Sequence, residues 1–276
     1  MNSGILAIAL YLCAFALQIS RVLHAQPDQQ SSRQRFAQPL TTMAAGCALV
    51  AHFVLSQGQL VTEKGMDFSL LPISVAIFFV VNLIVVIGSL RQPLHNLFLL
   101  LFPATVVMIS VSLLYEGEPA AYKELTPSLG IHILLSIIAY SLMSIAALEA
   151  LFLAYQNRQL HQHHTSGLMR ILPPLQTMEN LLFSLLGAGF ILLTLALITG
   201  FAFVEDFFAQ HLAHKTVFSI LAWTVYGILL WGRFKLGWRG KVAILWTIGG
   251  FFSLMLAFWG SKFVLEVMLT TSGGPG

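Results

Sequence analysis

The chain predicts an all-α fold, a polytopic membrane helix bundle of about eight transmembrane helices. Three observations predict it. Of 276 residues, 57% are apolar and only 9% charged, whereas a soluble domain carries roughly a quarter charged residues. Eight apolar runs approach the roughly 20 residues with which a helix crosses a bilayer. No gap between them can hold a soluble domain; the longest, Asn157–Asn180, is short and rich in His, Ser and Pro. The expectation is therefore a single integral membrane domain over residues 1–276.

Taken in order, the runs are Ile5–Val22, Pro39–Ser56, Leu70–Leu90, Leu97–Leu114, Ile131–Gln156, Leu181–Phe203, Thr216–Trp231 and Val242–Phe263. The first lacks the basic region and small-residue cleavage site of a signal peptide, so it is expected to stay as a membrane helix. The seventh is the shortest. Pro103 and Gly187–Gly189 are expected to interrupt their helices, but not at corresponding positions, which argues against the paired broken helices of many transporters. The tail TTSGGPG has the composition of a disordered end.

Orientation follows from Lys and Arg in the short loops. Ten fall in the odd-numbered loops: Arg21, Arg33, Arg35, Arg91, Arg158, Arg170, Arg233, Lys235, Arg239 and Lys241. Three, Lys64, Lys123 and Lys215, fall in the even-numbered ones. The odd loops should face the cytoplasm and both termini the outside.

Composition also excludes functions. The two cysteines, Cys13 and Cys47, lie inside apolar runs and offer neither a disulfide framework nor a CxxCH haem-attachment site, so the chain is not itself a c-type cytochrome. No basic run with interleaved aromatics points to nucleic acid. There is no Walker loop, GxSxG or HExxH, so no conventional hydrolase or ATPase site is present.

Polar residues within the apolar runs are the candidates for function. His132 opens the fifth helix, where Thr126 or Ser128 can cap the helix start. The positive end of the helix dipole favours neutral imidazole, the form that ligates a metal or haem iron. The competing reading is an interfacial histidine hydrogen-bonded to the next loop. His52, inside the second run, is expected to make a structural hydrogen bond to a neighbouring helix. Glu149 is expected to be neutral or to snorkel to a basic loop residue, with half of a proton path alongside Tyr140 as the alternative. His161, His163 and His164 have no carboxylate or cysteine beside them and read as a solvated loop; His95 carries no assignment. The turn GRFKLGWRGK sets four cations on a tight, Gly-punctuated reversal that can touch anionic head groups.

The stretch Phe201–Lys215, FAFVEDFFAQHLAHK, lies between two apolar runs on the predicted outer face. If it is helical, Phe207, His211 and His214 share one face, and such a platform suits either an apolar planar cofactor or simple rest on lipid.

These pieces resemble the cytochrome c assembly transmembrane family, which includes the CcsA and CcmC proteins, and within it the eight-helix YpjD-type inner membrane proteins. The resemblance rests on HILLSIIAYSLMSIAAL from His132, on LLTLALITGF ending beside Gly200, and on HKTVFSILAWTVYGILLW followed by LGWRGKVAILW and AFWGSKF. It is strongest over residues 129–263. It implies haem handling at the outer face, with His132 matching the histidine before the family's fifth helix. The family's tryptophan-rich segment corresponds to FAFVEDFFAQHLAHK, whose aromatics are Phe203, Phe207 and Phe208; Trp231 stands where the family has a histidine. The resemblance thus implies haem as cofactor, with His132 as iron ligand, Phe203, Phe207 and Phe208 as platform, and His211 or His214 as substitute second ligand. The implied partners are the lipid bilayer, haem, and other membrane or cytochrome assembly proteins. A non-catalytic membrane scaffold or regulatory partner that keeps the fold without haem chemistry stands as the alternative.

Overall fold

The computed structural model describes residues 2–23, 32–63, 65–115, 122–123, 126–162, 167–170, 172–203 and 210–260. Among them are eight helices long and apolar enough to cross a membrane. They are α1 (Asn2–Leu23), α2 (Ser32–Leu60), α3 (Leu70–Gly88), α4 (Phe98–Leu114), α5 (Pro127–His161), α6 (Leu175–Phe203), α7 (Gln210–Leu236) and α8 (Lys241–Met255). A π-helical turn, Leu256–Gly260, continues α8, and short 3-10 turns precede α4 and α6. The chain is a polytopic helical membrane protein.

Several helices outrun their apolar segments. Helix α5 has 35 residues, about 50 Å at 1.5 Å per residue, against a hydrocarbon layer of ~30 Å. Helix α7, whose apolar run is the shortest, has 27 residues because polar turns extend it at both ends. Pro39 lies inside α2 rather than at its start, and α4 runs unbroken through Pro103. Helix α6 likewise passes through Gly187 and Gly189 without interruption. Gly189 faces α5, where a Cβ would stand 3.0 Å from the Met143 methyl. This glycine serves close helix approach, the usual device where lipid removes the hydrophobic drive between helices.

The principal contacts form two four-membered rings. Helix α1 packs on α2 and α4, and α3 on α2 and α4; α5 packs on α6 and α8, and α7 on α6 and α8. The rings meet where α3 packs on α5. Small residues line the first ring, with Ala7, Ala14, Ala45 and Ala48 wholly buried. Tyr11 and His52 fill its centre: the Tyr11 hydroxyl lies 3.1 Å from His52 Nδ1, and His52 Nε2 lies 3.1 Å from the Val75 carbonyl. A carbonyl only accepts, so Nε2 carries the proton and Nδ1 accepts from Tyr11. His52 thus ties α1, α2 and α3 together with both ring nitrogens engaged.

The connections gather at two ends. At one, the second and fourth connections form a small antiparallel sheet of β1 (Val61–Thr62), β2 (Gly65–Asp67) and β3 (Tyr122–Lys123), with Met66 paired to both Val61 and Lys123. Nothing in the apolar pattern announces these strands. At the other end, Gln18 Nε2 donates to the His95 carbonyl at 2.7 Å, and Gln156 Nε2 to the Pro173 carbonyl at 2.9 Å. Glu149 does not snorkel to a basic residue. It is wholly buried, and the polar side chain beside it is that of Asn96. Tyr140 packs on Phe251 and Phe258 instead of meeting the carboxyl.

Candidate functional site

His132 sits in the second turn of α5, at the end of the bundle that carries the small sheet. Thr126 is the residue before the helix, but its side chain makes no capping bond; its hydroxyl lies 3.4 Å from that of Ser128. Pro127 opens the helix, where its missing N–H costs nothing. The imidazole is oriented from α6 instead. His132 Nδ1 lies 3.0 Å from the Ala196 carbonyl and 3.3 Å from the Thr199 hydroxyl. Since the carbonyl accepts, Nδ1 bears the proton and donates. The lone pair is then on Nε2, which has no partner among the described residues. This is the second-sphere arrangement that fixes the tautomer of an iron- or zinc-binding histidine.

Two further residues shape this seat. Gly200 lies flat against the ring: a Cβ there would stand 3.0 Å from His132 Cε1. Thr199 donates back to its own helix at Leu195 and Ala196, which holds its hydroxyl beside Nδ1. The carbonyl of His132 in turn accepts from Ser136 at 2.7 Å. Sequence reading found His132 but not Thr199 or Gly200, although both stand in the quoted run LLTLALITGF; their role depends on a contact between helices 64 to 67 residues apart.

Of the other expected site residues, Phe203 ends α6, and His211 and His214 lie in the first two turns of α7, with their side chains outside the described residues. Phe207 and Phe208 lie outside the described residues altogether. The backbone nevertheless brings the two flanks of this stretch toward His132. Gly200 precedes Phe203 on α6, and the charge of Lys215 acts on His132 from α7, one turn after His211. Among the described residues no three His, Cys, Asp or Glu side chains converge as a metal site. A tryptophan reaches the same pair of helices further along: Trp223 of α7 donates to Thr194 at 2.9 Å and stacks on Phe190, ring centroids 5.6 Å apart.

The remaining histidines lie elsewhere. His161 donates from Nδ1 to the Asn157 carbonyl at 2.7 Å, at the far end of α5. His163 and His164 lie outside the described residues. His95 lines a cleft of about 680 Å³ with Arg91, Thr42 and Pro39 at that same end.

The turn GWRG closes on α6. Arg239 Nε and the Gly240 N–H donate to the two oxygens of Glu179, at 2.8 and 3.0 Å, and Arg239 also donates to Gln176 at 2.9 Å. Glu179 is buried, and sequence reading passed over it; an acid at the edge of an apolar run was the available signal for a cationic partner.

Comparison with known proteins places these features. The family model described as Cytochrome C assembly protein matches residues 3–269. The inner membrane protein YpjD of Escherichia coli is 28% identical over 261 residues, 94% of this chain and 97% of that protein. The cytochrome c biogenesis protein CcsA of Gloeobacter violaceus is 26% identical over 93 residues, 33% of this chain and 28% of that one. The corresponding protein of Prochlorococcus marinus is 29% identical over 87 residues, 31% and 28% of the two chains. No solved structure matches.

Proposed function

The chain belongs to the cytochrome c assembly protein family, and from that premise we propose that it handles haem at the outer face of the bacterial inner membrane. His132 carries the proposal. Its Nδ1–H is held by the Ala196 carbonyl, and its Nε2 lone pair is left for iron. Haem, if bound, would supply an iron that accepts an imidazole nitrogen. The chain's own residues do the rest. His132 would hold the iron through Nε2. Thr199 and Ala196 hold the imidazole plane, and Gly200 leaves room for the ring to lie against α6. Phe203, Phe207 and Phe208 would cover the porphyrin face by apolar contact and stacking, and His211 or His214 would supply the second nitrogen.

The localisation is part of the same proposal. YpjD is an inner membrane protein by its name, and the ten-to-three distribution of Lys and Arg puts His132 and Phe201–Lys215 outside. A second reading, a membrane scaffold without haem chemistry, is favoured by one observation: the stretch Phe201–Lys215 contains no tryptophan.

The test is the absorbance of the detergent-purified chain supplemented with haem. Wild type should develop a Soret band, and His132→Ala should weaken or shift it while the protein still reaches the membrane. His161→Ala should leave the spectrum alone. His211→Ala and His214→Ala identify the second ligand. A wild-type chain with no Soret band, or an unchanged spectrum in His132→Ala, leaves the scaffold.

A further inference from the structure

The end of α5 opposite His132 meets the start of α8 in a cleft of about 400 Å³ that the haem proposal does not use. Arg158, His161 and Lys241 line it together with the apolar Ala154, Ile244 and Leu245. The three basic groups come from two helices about 80 residues apart in sequence that pack directly on each other. Among the described residues no acid lines the cleft. Neither Arg158 nor Lys241 has an acidic partner among the described residues, whereas the neighbouring Arg239 is paired with Glu179. His161 donates from Nδ1 to the Asn157 carbonyl, which leaves Nε2 for a further contact.

The position of the cleft narrows its ligand. The apolar run of α5 ends at Gln156 and that of α8 begins at Val242, so Arg158, His161 and Lys241 stand just beyond the apolar segments, on the side where head groups are expected. Leu245, one turn into α8, is 69% exposed and belongs to the lipid-facing surface. A soluble anion would use the cations and leave the apolar wall unexplained. A phospholipid uses both: a phosphate ester against Arg158 and Lys241, and an acyl chain along Ile244 and Leu245. Basic pockets between transmembrane helices are the known physical solution for holding anionic head groups, and guanidinium is suited to phosphate oxygens by its fork of donors.

We propose that the cleft between α5 and α8 is a binding site for one anionic phospholipid. The site belongs to paired, unneutralised cations in a defined cleft, not to the basic loops at large, and this distinguishes it from the general excess of positive charge at that end. It stands independently of haem binding at His132.

The experiment is native mass spectrometry of the full chain in detergent, offered equal amounts of phosphatidylglycerol and phosphatidylcholine. Wild type should retain phosphatidylglycerol preferentially. Arg158→Gln with Lys241→Gln should lower that preference by about 25-fold if each cation supplies about 5-fold. Arg158→Lys with Lys241→Arg keeps both charges and should retain most of it, which separates loss of the site from loss of the fold. Lys235→Gln, on the same end but outside the cleft, should change nothing. Equal retention of the two lipids by wild type, or an equal loss in Lys235→Gln, overturns the proposal. So does displacement of the lipid by glycerol phosphate alone, because the site would then take a soluble phosphate.

Discussion

His132 and His52 differ in what each second ring nitrogen meets. His52 is wholly buried with Nδ1 on Tyr11 and Nε2 on Val75, so its valence is spent inside the first ring of helices. His132 is half-buried, spends Nδ1 on Ala196, and keeps Nε2. The same residue type is therefore a brace in one place and a candidate ligand in the other. His52→Ala should lower thermal stability by roughly 2–4 kcal/mol, through a cavity and an unpaired Tyr11 hydroxyl, and should leave any Soret band in place. Gly200→Val should also cost about 1–3 kcal/mol, by pushing the imidazole off α6, but should in addition weaken haem binding although His132 is intact. Thermal melts and haem titrations of the two variants check this, and equal haem affinity in Gly200→Val and wild type would remove Gly200 from the site. The sequence marks His132 because an imidazole beside an apolar run is visible in one dimension. It cannot mark Gly200, whose importance exists only where α6 crosses α5. Glu149 shows the opposite failure: a carboxylate 12 residues before the end of its helix reads as able to snorkel, and only the packing of α3 and the Asn96 turn against α5 closes that route.

At the scale of elements, the reversal between α7 and α8 is held by few residues with large effects. Gly237 and Gly240 take positive φ values of 70° and 56°, which turn the chain within four residues. Trp238 then folds back onto Gly232 and tilts against Trp246, ring centroids 5.4 Å apart. Arg239 reaches Glu179 on α6, so the turn is clasped by a helix that is not its own. Trp238→Ala and Arg239→Ala should each lower the amount of folded protein, the latter by about 1–3 kcal/mol because it strands a buried carboxylate. Glu179→Ala should match Arg239→Ala, and the double variant should cost little more than either single one. Lys235→Ala, exposed and unpaired, should stay within about 0.5 kcal/mol of wild type. Membrane levels and detergent melts of the five proteins decide it; equal levels throughout would mean that the turn is held by α7 and α8 alone. The existence of the helices was legible because lipid imposes a length on every span. Their ends were not, because hydropathy stops at the interface while backbone hydrogen bonding continues beyond it, as the polar turns at both ends of α7 demonstrate.

The whole molecule is two four-helix rings joined along α3 and α5. That pairing was not legible in the sequence, which shows no clean repeat, since a lipid-facing and a ring-facing leucine carry the same hydropathy. Orientation, by contrast, is a property of charge and can be argued from the sequence alone. An even number of spans returns both termini to one side of the bilayer. The second and fourth connections are tied together by the small sheet at the end where His132 lies, and the seventh is tied to the first turns of α6 by Arg239 and Glu179 at the other. The basic end holds ten of the loop cations and the sheet end three; transfer of so many cations across the membrane is what the positive-inside bias opposes. The expected arrangement therefore has the GWRG turn and the α5–α8 cleft in the cytoplasm, with His132, the stretch Phe201–Lys215 and both termini outside. A reporter active only in the periplasm, fused after Gly276, should be active, and the same reporter placed in the loop after His161 should be silent. A cytoplasm-only reporter active after Gly276 would invert the molecule, carry His132 to the inner side, and take the proposed haem site away from the face at which it is to act.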